Sequence, residues 1–202
     1  MNKKLIIDCI SFNITPEMIN ESMDKNNGRL IVKGVLQRAA ATNHNGRVYP
    51  KEILMREAKK YSDINIKERR ALGELDHPDS TVVNLNNVSH NIVEMHWDGN
   101  DLVGTVEVLS TPSGNILKEL FKCGIKLGIS SRGLGSVKQL GEDRVEVQDD
   151  FELIAFDFVS NPSTHGAFLK PIHESANRGL LSPALKYERV NRLITDILSD
   201  IK

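Results

Sequence analysis

Apolar and polar positions alternate in short runs along most of the chain, and only three stretches carry a helical spacing. Lys4 to Phe12 and the β-branched run from Leu30 to Leu36 predict strands. Between them, Asn13 to Gly28 is a polar stretch ending in the turn signal Asn26-Asn27-Gly28. Asn43 to Pro50 is a loop by composition. Pro50 sits where a helix accepts proline, and Ile53, Leu54, Ala58 and Tyr61 keep one apolar face to about Ser62. A charged linker leads into Ala71 to Pro78, where Pro78 drives His77 towards extended backbone. His90 to Trp97 and Leu102 to Leu109 predict a hairpin turned at Asp98-Gly99-Asn100-Asp101. Thr111-Pro112 opens a helix carrying Ile116, Leu117, Leu120 and Phe121, with Gly124 placed to end it.

The helix delivers the chain into Gly128-Ile129-Ser130-Ser131-Arg132-Gly133-Leu134-Gly135. A turn at Gly141-Glu142-Asp143 precedes a short strand, Arg144 to Gln148, and a longer one, Phe151 to Val159. Many short strands with interspersed helices predict an α+β fold. From Glu174 to Ser182 the composition turns small and polar and reads as a linker. Ser182-Pro183 then starts a helix whose Val190, Leu193, Ile194, Ile197, Leu198 and Ile201 form one amphipathic stripe. The stripe packs on its own domain or serves a partner; both remain open. The organisation expected is a domain over 1–174 and a linker with helical tail over 175–202.

At 202 residues the chain can bury one sizeable core. A net charge of −1 with scattered Lys and Arg predicts no nucleic-acid surface. Cys9 and Cys123 are too few for a disulfide framework and lack metal-ligand spacing, as expected of a reducing compartment. No apolar run approaches the roughly 20 residues of a membrane helix, and Asp8 cuts the first one short. A soluble intracellular protein is expected.

Three features carry candidate chemistry. Ser130 and Ser131 lie among glycines, and a serine nucleophile needs an adjacent base. His77, pinned between Asp76 and Pro78, is the most constrained of six histidines. Asp157 is a carboxylate inside a strand that is apolar on both faces, with Leu153, Ala155 and Val159 on its own face. Such a group needs a partner, and orienting an imidazole is one role that supplies it. The order His, Ser, Asp matches none of the chymotrypsin, subtilisin or α/β-hydrolase orders. His90 and His96 share a strand face by their even spacing, and a metal pair there is a weaker alternative that lacks a third ligand.

Three segments taken together, Asn43-x-Asn45-x-Arg47-x-Tyr49-Pro50, Ala71-Leu72-Gly73-Glu74-x-x-His77-Pro78 and Gly128-x-Ser130-Ser131-Arg132-Gly133-Leu134-Gly135, resemble the prohead maturation proteases of T-even-type tailed phages. That family is also described as prohead core scaffolding proteins and proteases. It is distantly akin to herpesvirus assemblin, and the resemblance spans about Leu30 to Pro171. It implies a herpesvirus-protease-like closed β-barrel ringed by helices. It also implies a serine endopeptidase without cofactor or metal, with His77 as general base, Ser130 as nucleophile (Ser131 the rival) and Asp157 as third member. Arg132 and the N–H groups of Ser131 and Gly133 would hold the oxyanion. Substrates would be prohead scaffold and major capsid precursors, cut after Glu in an Ile/Leu-x-Glu context inside the immature prohead in the host cytoplasm. Ile172-His173-Glu174 makes Glu174 the candidate self-cleavage site. Neither nucleic acid nor membrane is an expected partner, and homo-oligomerisation is left open. The alternative is a non-catalytic core scaffolding protein.

Overall fold

The computed structural model describes residues 3–12 and 14–160. The linker, the amphipathic tail and Glu174 lie outside the described residues. In chain order the elements are β1 (Lys4–Phe12), α1 (Pro16–Lys25), β2 (Leu30–Arg38), β3 (Arg47–Val48), α2 (Lys51–Tyr61) and β4 (Leu72–Glu74). There follow β5 (Val88–Asp98), β6 (Asp101–Val108), α3 (Pro112–Lys122), β7 (Leu127–Gly135), β8 (Val137–Gln139), β9 (Val145–Val147) and β10 (Glu152–Val159).

The strands form three sheets, ordered β1-β7-β10, β2-β6-β5-β4 and β3-β9-β8. In the first, β7 is the middle strand, antiparallel to both neighbours. The second is built on the β5–β6 hairpin, in which Asp98 pairs with Asp101 and Gly99 turns the chain with φ 59°. A glycine at the first central position is what a two-residue II′ turn favours. The first two sheets face one another across a shared core. Leu30, Leu36, Ile92 and Val106 come from one, and Ile129, Phe156 and Phe158 from the other. Helices α1, α2 and α3 add Ile19, Tyr61 and Phe121 to that core.

The mixed α+β class is as expected, but the ladders of the described residues do not close into the barrel that the resemblance implied. At one seam a single bridge, Leu75 to Phe158, joins β4 to β10. At the other, β2 approaches β1 and β7 through side chains: Gln37 Nε2 donates to Ser131 Oγ at 2.7 Å, and Ser131 Oγ donates to the Asp8 carbonyl at 3.3 Å. A β-bulge between Val35 and Gln37 shifts the register of β2 against β6 beside that seam.

The polar stretch after β1 contains a helix, α1, that its composition did not predict. Thr15 caps α1 by accepting from Met18 N, and Pro16 occupies its first turn. Only Ile19 of this helix is buried, so there was no apolar stripe to reveal it. Ser22 Oγ ties it to β2 by donating to the Ile31 carbonyl at 2.6 Å and accepting from Ile31 N at 2.9 Å.

Candidate active site

Ser130 lies at the centre of β7, and the register across the sheet is Cys9, Ser130, Asp157. Residues directly opposite in paired strands share a face, so Ser130 and Asp157 stand side by side. His77 comes from the loop after β4. Asp76 holds that loop on β10: its N–H donates to the Phe158 carbonyl at 2.8 Å, and it takes a positive φ of 70°. The Asp76 carboxylate then accepts from His77 N at 2.9 Å. The imidazole is thereby set over the sheet, with Nε2 2.6 Å from Ser130 Oγ and Nδ1 3.0 Å from Asp157 Oδ2. An ionised carboxylate can only accept, so Nδ1 carries the proton and Nε2 is left to accept from the serine hydroxyl.

Asp157 is fully buried and has the partners that its place in an apolar strand demanded. Oδ1 accepts from Glu74 N at 3.0 Å and from Arg132 Nη2 at 3.3 Å. Oδ2 accepts from His77 and from Arg132 Nε at 2.9 Å. Arg132 is itself buried; its Nη2 also reaches Glu74 Oε1 at 3.0 Å, and Nη1 donates to the Ser80 carbonyl at 2.6 Å. One guanidinium therefore spans both carboxylates and the far end of the loop that carries His77. Ser130 and His77 line a cleft of about 400 Å³ together with Ile7, Cys9, Asn45 and Ser160.

Three comparisons with known proteins bear on this geometry. Residues 6–177 match the family described as prohead core protein serine protease. The prohead core protein protease of Enterobacteria phage T4 is 34% identical over 145 residues, covering 70% of this chain and 68% of that one. The structure of the bacteriophage T4 capsid assembly protease, gp21, superposes with a TM-score of 0.69 at 27% identity, covering 79% of this chain and 99% of that chain. The chain belongs to the prohead core protein serine protease family. Its activity is that of a serine endopeptidase.

With the family known, the second serine can be placed. Ser131 pairs with Asp8 and faces away from His77. There it meets a separate buried network built by the Asn43 to Pro50 segment: Asn45 Nδ2 donates to Asp8 Oδ1 at 2.7 Å, Arg47 Nη1 to the same atom at 3.0 Å, and Tyr49 OH to Asp8 Oδ2. Burial and the neighbouring carboxylate raise the Tyr49 hydroxyl well above the usual phenol range, so it stays a donor. Asp8 was missed as a structural residue, yet it gave the same signal as Asp157: a carboxylate inside an apolar strand.

The residues expected to hold an oxyanion are otherwise engaged. The Arg132 guanidinium is spent on Asp157, Glu74 and Ser80. Ser131 and Gly133 lie in the middle strand of a sheet, whose backbone groups point into ladders on both sides. Gly133 makes room for an aromatic ring rather than a ligand, since a Cβ there would come within 2.3 Å of Phe151.

His90 and His96 do not share a face. A bulge between Ile92 and Glu94 flips the alternation, so that His90 pairs with Val108 while His96 pairs with Val103. Among the described residues no three metal-ligating side chains converge. His90 is a buried strut: Nε2 donates to the Phe156 carbonyl at 3.0 Å, and Ser89 Oγ bonds Nδ1 at 2.9 Å. Burial lowers its pKa to about 4, so it is neutral near pH 7. Among the described residues no helix is long and apolar enough to cross a membrane.

Proposed function

We propose that this endopeptidase matures the immature head of a tailed phage, cutting scaffold and capsid precursor proteins inside the prohead with Ser130 as nucleophile. The observation that carries the assignment is the unbroken chain from Ser130 Oγ through His77, 2.6 Å at one end and 3.0 Å to Asp157 at the other. Ser130 Oγ attacks the scissile carbonyl while its proton passes to His77 Nε2, and Asp157 stabilises the imidazolium. His77 then returns the proton to the leaving amine as the C–N bond breaks. In the second half His77 takes a proton from water, which hydrolyses the acyl-enzyme and restores the Ser130 hydroxyl. The non-catalytic scaffold alternative would be favoured by Ser130 and His77 lying far apart, and their contact speaks against it.

Specificity for Glu in an Ile/Leu-x-Glu context, with self-cleavage after Glu174, completes the reading. Among the described residues Ile66–Glu68 and Leu140–Glu142 lie at exposed turns and compete with Glu174, whereas the other matches are built into structure: Glu74 is buried in β4, Ile19–Glu21 lies in α1, Ile92–Glu94 in β5 and Leu117–Glu119 in α3. Cleavage in those elements would need local unfolding. The test is turnover of an Ile-x-Glu peptide, alone and with assembled proheads, beside intact-mass analysis of the incubated chain. Ser130→Ala should abolish turnover and Ser131→Ala should retain it, with a product ending at Glu174. Loss of turnover with Ser131→Ala but not Ser130→Ala would overturn the assignment of the nucleophile.

A further inference from the structure

The glutamate of the Ala71 to Pro78 segment has no part in the mechanism above, yet its carboxylate is one of the most deeply buried charges described. Glu74 is fully enclosed at the end of β4. Oε1 accepts from Arg132 Nη2 at 3.0 Å and from Asn84 N at 3.0 Å. Oε2 is buried with no hydrogen-bond partner among the described residues. The backbone of the same residue donates to Asp157 Oδ1 at 3.0 Å. A carboxylate so placed is expensive unless something else in the site uses its charge.

The charges around it do not cancel. Arg132 brings one positive charge; Asp157 and Glu74 bring two negative ones, and all three side chains are fully enclosed. Without Glu74, Arg132 and Asp157 would form a neutral pair, and a proton arriving on His77 would leave a positive charge in excess beside the buried cluster. With Glu74 the cluster is one negative charge in excess until the imidazolium forms.

Resting on the serine-protease reading above, we propose that Glu74 is a positioning residue of the active site. It engages Arg132 so that Asp157 keeps its negative charge for His77, and it fixes the far end of the His77 loop through Asn84. In the acylation step the proton leaving Ser130 Oγ ends on His77 Nε2, and the buried cluster passes from one negative charge to none. The other titratable groups near this cluster are Asp76, which accepts from His77 N, Cys9, which lines the same cleft from β1, and the neutral side chains of His90 and Tyr61. None of these supplies the excess charge from within the cluster.

The test reads His77 without requiring turnover. In the full chain carrying Ser130→Ala, the His77 ring resonances are followed by NMR against pH, assigned by their loss in His77→Gln. A directly adjacent opposite charge favours a group's charged form by about one to three pH units, and Glu74, which reaches His77 only by way of Arg132 and Asp157, falls at the low end of that range. Adding Glu74→Gln, which keeps the shape and an acceptor oxygen, should therefore lower the His77 midpoint by about one unit. Glu74→Asp, which keeps the charge, should leave the midpoint within about 0.3 unit of the parent. An unchanged midpoint in Glu74→Gln overturns the proposal, as does an equal fall in Glu74→Asp. Should Glu74→Gln not fold, Glu74→Met takes its place: a fall of about one unit upholds the charge role and an unchanged midpoint overturns it. With Ser130 intact, the acid limb of kcat/KM for Glu74→Gln should move to lower pH by the same amount, with a lower plateau. Failure of the parent to cleave any substrate would sink the protease reading and leave the NMR result to judge Glu74 by itself.

Discussion

Arg132→Met is the perturbation that weighs the buried network most directly. The guanidinium makes four hydrogen bonds in the fold, at 2.9 and 3.3 Å to Asp157, 3.0 Å to Glu74 and 2.6 Å to the Ser80 carbonyl. Methionine fills much of the same space but leaves two enclosed carboxylates with no cation and the Ser80 carbonyl short of a donor. Removing one partner of a buried pair costs about 3–5 kcal/mol, most of it the penalty of stranding the other charge. For a domain of this size each kcal/mol lowers Tm by about 2–4 °C, so a fall of about 10 °C is expected. The measurement is urea unfolding at pH 7, with parent and variant both carrying Ser130→Ala. Adding Glu74→Gln and Asp157→Asn to Arg132→Met should recover about 2 kcal/mol, because no uncompensated charge remains. A cost below about 1 kcal/mol for Arg132→Met, or a triple variant no more stable than the single one, would refute the reasoning.

Two further outcomes follow from the strands around the site. His90 has its pKa lowered to about 4 by burial, below the roughly 6.5 of an unfolded histidine, so the unfolded chain binds the extra proton between those values. Its neutral form therefore contributes stability that is complete above about pH 6.5 and is lost as pH falls towards 4, about 3 kcal/mol in all. His90→Gln, compared by urea unfolding at pH 7 and pH 4.5, should show a shallower loss; an identical loss would mean that His90 is not buried neutral. Gly73→Ala places a Cβ 2.0 Å from the Phe156 carbonyl and 2.3 Å from His90 Nε2, so β4 must move away from β5 and β10. His77 follows β4, and a displacement of about 1 Å costs about 10²-fold in rate. Peptide turnover within twofold of the parent would show that β4 does not set the histidine.

Local chemistry determined a good part of this molecule without help from the fold. The II′-type turn at Gly99, the cap at Thr111 and the left-handed Gly124 are decided by a few adjacent residues, and the β5–β6 hairpin and α3 followed from them. Asp157 announced its need for a partner because an unpaired carboxylate in an apolar strand is untenable. Helix α1 was hidden although its cap residues were present, since one buried Ile19 makes no periodic signal. Two faces were misread for a single reason: the bulges at Ile92/Glu94 and Leu153/Ala155 break the period of two, moving His96 away from His90 and Leu153 away from Asp157.

Only the tertiary structure decided who meets whom. His77, Ser130 and Asp157 are separated by 53 and 27 residues along the chain, and no local rule selects among the polar groups that long loops bring together. The register of β7 against β10 puts the Ser130 hydroxyl beside His77 and turns that of Ser131 to Gln37 and Asp8, a difference that adjacent sequence positions do not reveal. Arg132 was legible as a fixed cation beside two serines. That it faces two buried carboxylates, rather than an oxyanion, depends on β4 and β10 meeting over it. Sequence states what each residue requires, and packing chooses which neighbour supplies it.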